Sequence, residues 1–421
     1  MTEKDTKNEI PKDWKWAKLG EICRTTSGGT PSRGEPKYYD GNIPWVKSGE
    51  LDRGIITDTE EKISEEAIKN SSAKIFPKGT LLIALYGATI GKLAFLGVDA
   101  ATNQAICGIY QNEKISSAFL YNYLFYKKRK LVGQGIGGAQ PNISQTILKD
   151  LDVPLPPKPI QQGIVSKIEE LFSELDKGIE NLRLAQQQLK TYRQSVLKWA
   201  FEGRLTNENV KESQLPKGWK WLKFGELFSE SPQNGLYKSS TDYGSGTPII
   251  RIDGFYDGSI LDDYEYKRVR LTDEEISRYL ISIGDILVNR VNSMPYLGKC
   301  GIVKHLKEKT VFESNIMKVR LDKKIALPEY FTMYLSSKKG ITELRKNAKQ
   351  AVNQASINQT DVSNVMVPLP LIKEQHDIVQ KIESRLSVAD KMEESITQSL
   401  QQAEALRQSI LKKAFEGRLV N

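Results

Sequence analysis

Several stretches of this 421-residue chain carry residue types that could do chemistry, and each fails on spacing or context. Asp253 with Glu265-x-Lys267 has the carboxylates and lysine with which a nuclease holds a metal ion and activates water. The corresponding part of the other half of the chain has no such trio, and Glu-x-Lys is common in a charged protein. Gly133-x-Gly135-x-x-Gly138 spells a dinucleotide fingerprint but follows a basic helical stretch where a strand is required, so a loop is expected. Gly87 to Leu93 is one residue short of a phosphate-binding loop and lacks its Ser or Thr. The two histidines, His305 and His376, have no nearby partner for a triad or a metal site. No Asn-Pro-Pro-Tyr-like loop for amino-methylation is present. The sequence thus predicts neither a catalytic centre nor a metal site in this chain.

Composition narrows the class without naming a partner. A content of 39% apolar and 27% charged residues is ordinary for a globular protein and argues against disorder or a fibrous repeat. The net charge of +9 and pI near 9.1 are compatible with nucleic acid but do not require it. Lys127-Lys128-Arg129-Lys130 is the densest basic run and by itself reads as a solvated helix end. Cys23, Cys107 and Cys300 are far apart and odd in number, which argues against disulfides and zinc. The polar N-terminal stretch and the absence of a long apolar run predict a cytoplasmic protein.

The elements that could position a binding surface are written twice. Asn142 to Leu205 aligns without a gap on Ser356 to Leu419, with about 30 identities over about 64 positions. Gln145-Thr146 matches Gln359-Thr360, Val153-Pro154-Leu155-Pro156 matches Val367-Pro368-Leu369-Pro370, and both copies close on Phe-Glu-Gly-Arg-Leu. More faintly, Pro11 to Trp16 matches Pro216 to Trp221, Ile43 to Lys47 matches Thr247 to Arg251, and Gly79 to Ile83 matches Gly284 to Val288. One module occurs twice: a variable region, a Val-Pro-Leu-Pro hinge and a near-constant segment. A pseudo-two-fold arrangement of the copies would bring the two termini together.

The near-constant segments are helical, because their apolar residues alternate four and three apart. The first seam runs through Ile164, Ile168, Leu171, Leu175, Leu182, Leu189 and Val196, and the second through Ile378, Ile382, Met392, Ile396, Leu406 and Ile410. Each helix of about 40 residues would be about 60 Å long, and the matched pair is expected to form an intramolecular antiparallel coiled coil. The variable regions read as α+β. Strands are expected over Gly79 to Leu85, Ala105 to Tyr110, Pro248 to Ile252, Asp285 to Val291, Cys300 to Val303 and Asn315 to Leu321, with helices over Ser117 to Arg129 and Glu329 to Lys346.

The order of these motifs, a Trp-containing start, Gly28-Gly29-Thr30-Pro31-Ser32, Ile43-Pro44-Trp45-Val46, Thr102-Asn103-Gln104, Val-Pro-Leu-Pro and Phe-Glu-Gly-Arg-Leu, resembles the specificity subunit of type I restriction-modification systems over nearly the whole chain. One departure is Lys158-Pro159-Ile160-Gln161 at the first hinge, where the second keeps the family-like Glu374-Gln375. The resemblance implies two target recognition domains, 1–155 and 206–369, with helical spacers over 156–205 and 370–421. Each domain would read one half of a split, asymmetric DNA target. The spacers would set half-site separation and dock methyltransferase subunits, two of them as the resemblance implies, with restriction-translocase subunits joining through the complex. S-adenosylmethionine, ATP and magnesium would then belong to partner subunits. The competing readings are a metal-dependent nuclease acting alone and a coiled-coil scaffold without sequence-specific binding.

Base readers are sought on loops that differ between the copies. One segment in the first copy is Ser27, Gly28, Gly29, Thr30, Ser32 and Arg33, answered in the second by Asn234, Tyr237 and Lys238. Another is Tyr86, Thr89 and Lys92, answered by Asn289, Arg290, Asn292, Ser293 and Lys299. Arg290 could grip a guanine edge, Asn289 and Asn292 suit adenine, and Lys47 and Arg251 are placed as phosphate contacts.

Overall fold

The computed structural model describes residues 10–133, 142–207, 210, 215–256, 258–261 and 265–420. The chain divides into two compact units, Met1–Leu182 with Gln398–Asn421, and Arg183–Thr397. Each long helix, Lys158–Phe201 and Ile372–Phe415, contributes residues to both units.

The variable regions are α+β and repeat one topology. In the first unit a five-stranded sheet is ordered Thr25–Ser27, Ile106–Ile109, Leu81–Ala84, Leu93–Leu96, Ile55–Ile56. In the second the order Gln233–Asn234, Ile316–Val319, Ile286–Asn289, Cys300–Ile302, Gly258–Ile260 is the same, extended by Phe255–Tyr256. Beside these, Ile43–Val46 pairs in parallel with Ala100–Thr102, and Tyr243–Ile250 with Val311–Phe312. Strands such as Leu81–Ala84 and Ile286–Asn289 are buried at every position, as expected of continuous apolar runs covered on both faces.

The Val-Pro-Leu-Pro segments, expected as hinges, are strands. Asp152–Leu155 pairs antiparallel with Lys15–Lys18, placing Pro154 opposite Trp16; Met366–Leu369 pairs with Lys220–Lys223, placing Pro368 opposite Trp221. A proline cannot donate to a ladder, but a two-stranded ribbon leaves one edge of each strand unpaired and so accommodates it. The expected helix over Glu329 to Lys346 is two helices, Pro328–Ser336 and Lys338–Arg345, because Ser337 turns extended and its hydroxyl accepts from the Gly340 amide at 3.1 Å.

Within each unit the two long helices run antiparallel. In the first, Ile164 and Ile168 share a core with Ile410, Leu411, Ala414 and Phe415. In the second, Val196, Ala200 and Phe201 share one with Ile378, Val379 and Ile382. Ile164, Ile168, Val196, Ile378, Ile382 and Ile410 of the expected seam are buried, and only part of the stripe is shifted by one residue from it. Val165 and Ala200, Val379 and Ala414 are buried, whereas Met392 and Leu406, expected on the seam, are 53% and 51% exposed. Leu171, Leu175, Leu182, Leu189 and Ile396 are half-buried. Beside the exposed Met392 and Leu406 the helices are joined by Arg193 and Arg407, whose charged ends reach carboxylates on the facing helix. Arg193 meets Asp390 at 2.6 Å and Glu393 at 2.9 Å. Arg407 lies 4.7 Å from the centre of the Phe172 ring and pairs with Asp176. In the alignment of the copies Arg193 answers Arg407 and Asp390 answers Asp176, so a single contact occurs in both units.

The helix ends dock their own units. Phe201 packs edge-on against Tyr330 and Tyr334, and Phe415 against Phe119 and Tyr123. The following glycines, Gly203 and Gly417, have φ of +75° and +71°, the left-handed turn that ends a helix. A side chain on either would collide with a proline, Pro216 or Pro11 respectively. The expected meeting of the two termini is therefore present within the first unit, where Pro11 and Trp14 lie on Gly417.

Candidate nucleic-acid interface

In each unit the candidate loops are built around one buried crossing, and backbone hydrogen bonds establish the equivalences. In the first unit the Gly28 amide donates to Ile106 at 3.0 Å, Gly29 to Thr102 at 2.9 Å, and Leu85 to Ala105 at 2.8 Å. In the second, Gly235 donates to Ile316 at 3.0 Å, Leu236 to Phe312 at 3.0 Å, and Arg290 to Asn315 at 2.9 Å. The structure thus brings Ser27 to Thr30 beside Tyr86, and Asn234 to Lys238 beside Arg290, over Thr102-Asn103-Gln104 in one unit and Glu313-Ser314-Asn315 in the other. The loop Tyr86 to Lys92 closes on Ala84 through bonds from Gly91 and to Lys92, as Val291 to Lys299 closes on Asn289. Thr89 lies in its short turn, Gly87–Thr89.

The glycines of the first loop shape it. Gly28 and Gly29 are buried, a side chain on either would strike backbone of 102–103 or 72–73, and the Trp45 indole donates to the Gly29 carbonyl at 3.1 Å. Thr30 bonds Gln104. Ser32 and Arg33 follow on exposed backbone, with the Arg33 guanidinium 4.2 Å from the centre of the Tyr39 ring.

Most candidate cations are tied to carboxylates of their own unit. Arg33 meets Glu61 at 2.7 Å; Lys47 meets Glu60 at 2.9 Å and Glu61 at 3.0 Å; Lys238 meets Glu275 at 2.7 Å; Arg251 meets Glu313 at 3.1 Å; Lys92 pairs with Asp52. The two cations beside Glu61 hold its carboxyl below the ordinary value of 4.5. Lys299 lies 4.7 Å from the centre of the Tyr296 ring.

Arg290 is different. Its guanidinium is half-buried, donates to the Ser314 carbonyl at 3.0 Å, and has no carboxylate within 4 Å and no partner for Nε among the described residues. Burial alone pushes its pKa down. Its neighbour Asn289 is 2% exposed with Oδ1 unpartnered. A buried polar atom without a partner destabilises the free protein, and the equivalent of Arg290 in the first unit is the core residue Leu85. The cleft beside it, about 560 Å³, is lined by Tyr237, Lys238, Arg251 and Ser314 among others, and Tyr237 is 82% exposed.

One surface was not anticipated from the sequence. Lys349–Ala351 and Gln354–Ser356 form a hairpin, and Gln354–Ser356 pairs on its other side with Val291–Asn292. The turn is Val352-Asn353, with Asn353 at φ +61°. An Asn tolerating the left-handed region between short polar runs was the available signal, and it was hidden by the polarity of the flanking strands. The Gly-rich fingerprint at 133–138 lies largely outside the described residues. Asp253, Glu265 and Lys267 are all exposed, and among the described residues no cluster of His, Cys, Asp and Glu is disposed to hold a metal ion. No described helix is long and apolar enough to cross a membrane.

Comparison with known proteins gives a consistent result. The profile of the type I restriction modification DNA specificity domain matches residues 11–183 and again 216–402. The EcoKI specificity subunit of Escherichia coli K12 is 27% identical over 98% of this chain and 90% of its own length. The MjaIX specificity subunit of Methanocaldococcus jannaschii is 26% identical over 89% and 88%. Among solved structures, the HsdS subunit from Thermoanaerobacter tengcongensis superposes with a TM-score of 0.60 at 19% identity over 98% of this chain and 99% of that one. A chain from a study of type I restriction-modification complex assembly and conformational transition superposes with a TM-score of 0.76 at 20% identity, covering 97% and 99%. With two copies of its defining domain spanning most of the sequence, this chain belongs to the type I restriction-modification DNA specificity family.

Proposed function

We propose that this chain is the target-reading subunit of a type I restriction-modification complex, working in the cytoplasm without a catalytic centre of its own. The recognition domains, 1–155 and 206–369, each read one half of a bipartite DNA target. The spacers, 156–205 and 370–421, fix the separation of the halves and dock methyltransferase subunits, through which restriction-translocase subunits join. S-adenosylmethionine, ATP and magnesium are then used by the partners.

The observation that carries this reading is one scaffold holding two different loop sets. The crossing at 102–105 is bonded like that at 312–315, yet Thr30, Leu85 and Tyr86 stand where Tyr237, Arg290 and Val291 stand in the other copy. Equal scaffolds with unequal reading loops suit a target whose halves differ, since scaffold and phosphate contacts position a protein while base contacts specify. In this reading Ser27, Thr30, Ser32, Arg33, Tyr86, Thr89 and Lys92 face the first half-site. Asn234, Tyr237, Lys238, Asn289, Arg290, Asn292, Ser293 and Lys299 face the second, with Lys47 and Arg251 near phosphates.

The test is to co-express the chain with its methyltransferase subunit in a methylation-free host and map modified bases by single-molecule sequencing. Methylation confined to one split, asymmetric motif is the expected result. Soluble complex with no motif favours a scaffold, and magnesium-dependent cleavage by the pure chain favours a nuclease; either overturns the proposal.

A further inference from the structure

We propose that the β-ribbon Lys349–Ser356 of the second unit enters the DNA major groove and reads bases of the second half-site. This rests on the target-reading function above and names a surface which that function does not by itself identify.

The ribbon is built to be inserted. A two-stranded β-ribbon fits the major groove, about 12 Å wide. Here Lys349 pairs with Ser356, Gln350 with Ala355 and Ala351 with Gln354, so the strands stay in register up to the Val352-Asn353 turn. Its base is anchored: Ala355 is buried, the Ile357 amide donates to the Arg290 carbonyl at 2.9 Å, and Asn292 lies opposite Ala355. The ribbon is thus continuous with the strand that follows the unpaired Arg290. Residues 349–354 are all exposed, and Val352 at the tip is 93% exposed.

Its chemistry matches DNA more closely than it matches an acidic or apolar protein partner. From 345 to 360 the chain has Arg345, Lys346 and Lys349 and no Asp or Glu, together with Asn and Gln at 347, 350, 353, 354, 358 and 359. Arg345 is committed to structure, donating to the carbonyls of Leu297 at 2.8 Å and Pro295 at 3.2 Å. Lys349 shares a face with Ala351, Gln354 and Ser356, because residues opposite one another in a ladder point the same way. In a groove that face sets a lysine near phosphate and a glutamine amide toward the paired donor and acceptor of an adenine edge, while Val352 at the tip of the turn is placed for a thymine methyl. The aligned stretch of the first copy, Gly135-Ile136-Gly137-Gly138-Ala139-Gln140-Pro141, keeps Gln140 opposite Gln354 but has glycine, isoleucine and glycine where this ribbon has Lys349, Gln350 and Val352.

The test uses the chain in complex with its methyltransferase subunit, comparing the native chain with Val352→Ser, Gln354→Ala and Lys349→Ala, all changes at exposed positions. Gln354→Ala and Val352→Ser are expected to relax the methylated motif at one or two positions of one half, with about tenfold loss of preference there. The other half and the spacing should be unchanged. Lys349→Ala is expected to weaken binding of a target duplex evenly over sequences and to lower the slope of log affinity against log salt by about 1. If both motif halves stay intact in all three variants while the native chain shows a split motif, the ribbon proposal falls and the target-reading function stands. Equal loss in both halves also overturns it. A native complex without any split motif removes the function on which the ribbon rests.

Discussion

The two junctions where a long helix leaves its recognition domain share a skeleton and differ in one patch of chemistry. At each, a buried glutamine holds three backbone groups. Gln161 accepts from the Ser116 amide at 2.7 Å and donates to Pro156 and Lys114 at 2.9 and 3.1 Å; Gln375 accepts from Leu327 at 2.8 Å and donates to Ile325 and Pro370 at 2.9 and 3.0 Å. Beside the second, Glu374 accepts from the Trp219 indole at 2.9 Å and the Thr206 hydroxyl at 3.1 Å. Beside the first the same places hold Ile160 and Val420, packed in the cluster that contains Trp14. A carboxylate with two donors has become an isoleucine with a valine. The exchange is concerted, because either partner changed alone leaves a polar group without its mate. The departure at Ile160, noted in the sequence at the first hinge, is one corner of a compensated trio.

The largest test of this equivalence is to remove the shared element. Gln161→Ala and Gln375→Ala each leave three inward-facing backbone groups unpaired, and each is expected to cost about 3 kcal/mol at roughly 1 kcal/mol per group. Urea unfolding followed by fluorescence would measure it, and losses differing by more than about 1 kcal/mol would show the junctions to be unequal.

The recognition loops are the second comparison, Leu85 against Arg290. Arg290→Leu is expected to keep or raise the melting temperature, because it removes a half-buried guanidinium that has no carboxylate partner and an unpartnered Nε. It should also weaken discrimination at the second half-site by about 1–3 kcal/mol. Unchanged affinity and sequence preference in duplex-binding assays would remove Arg290 from the reading surface.

The polar trio provides a smaller, more diagnostic effect. Glu374→Ile strands the Trp219 indole and the Thr206 hydroxyl, an expected loss of about 2 kcal/mol, and Thr206→Val in the same chain should recover part of it. A double-mutant cycle with no coupling would sever the trio. Smallest of all are the matched arginine contacts. Arg193→Met and Arg407→Met are each expected to cost less than about 1 kcal/mol, the more so in high salt, because their carboxylate partners are largely exposed. Thermal melts at two ionic strengths would show it.

The repeat, the long helices and the buried strands were legible because they are written in periodicity, which local sequence carries. The hinge was misjudged because Val-Pro-Leu-Pro contains both a strand and the residue that usually disfavours one. Only the partner strand at Lys15–Lys18 or Lys220–Lys223 settles which wins. The seam was legible at Ile164, Ile168, Val196, Ile378, Ile382 and Ile410 and missed at Met392 and Leu406, because an arginine counts as polar in a hydrophobic pattern, although Arg407 spreads over Phe172 while its tip remains charged. The two loop segments were found as loops. That Lys47, Arg251 and Lys238 are ion-paired and Arg290 is not depends on contacts 13 to 62 residues distant in sequence, which no local pattern records. The ribbon at 349–356 escaped for a similar reason: alternating polar residues look like a loop until a third strand is laid beside them.

The left-handed glycine turns have a topological consequence. Gly203 rests on Pro216, a near neighbour in sequence, whereas Gly417 rests on Pro11, one of the most distant described residues in sequence. Packing is blind to that distinction. The same socket is filled in one unit by a segment that follows the helix directly and in the other by one about 400 residues earlier, so the seat of a helix end is defined by its shape and is indifferent to the order in which the chain supplies its parts.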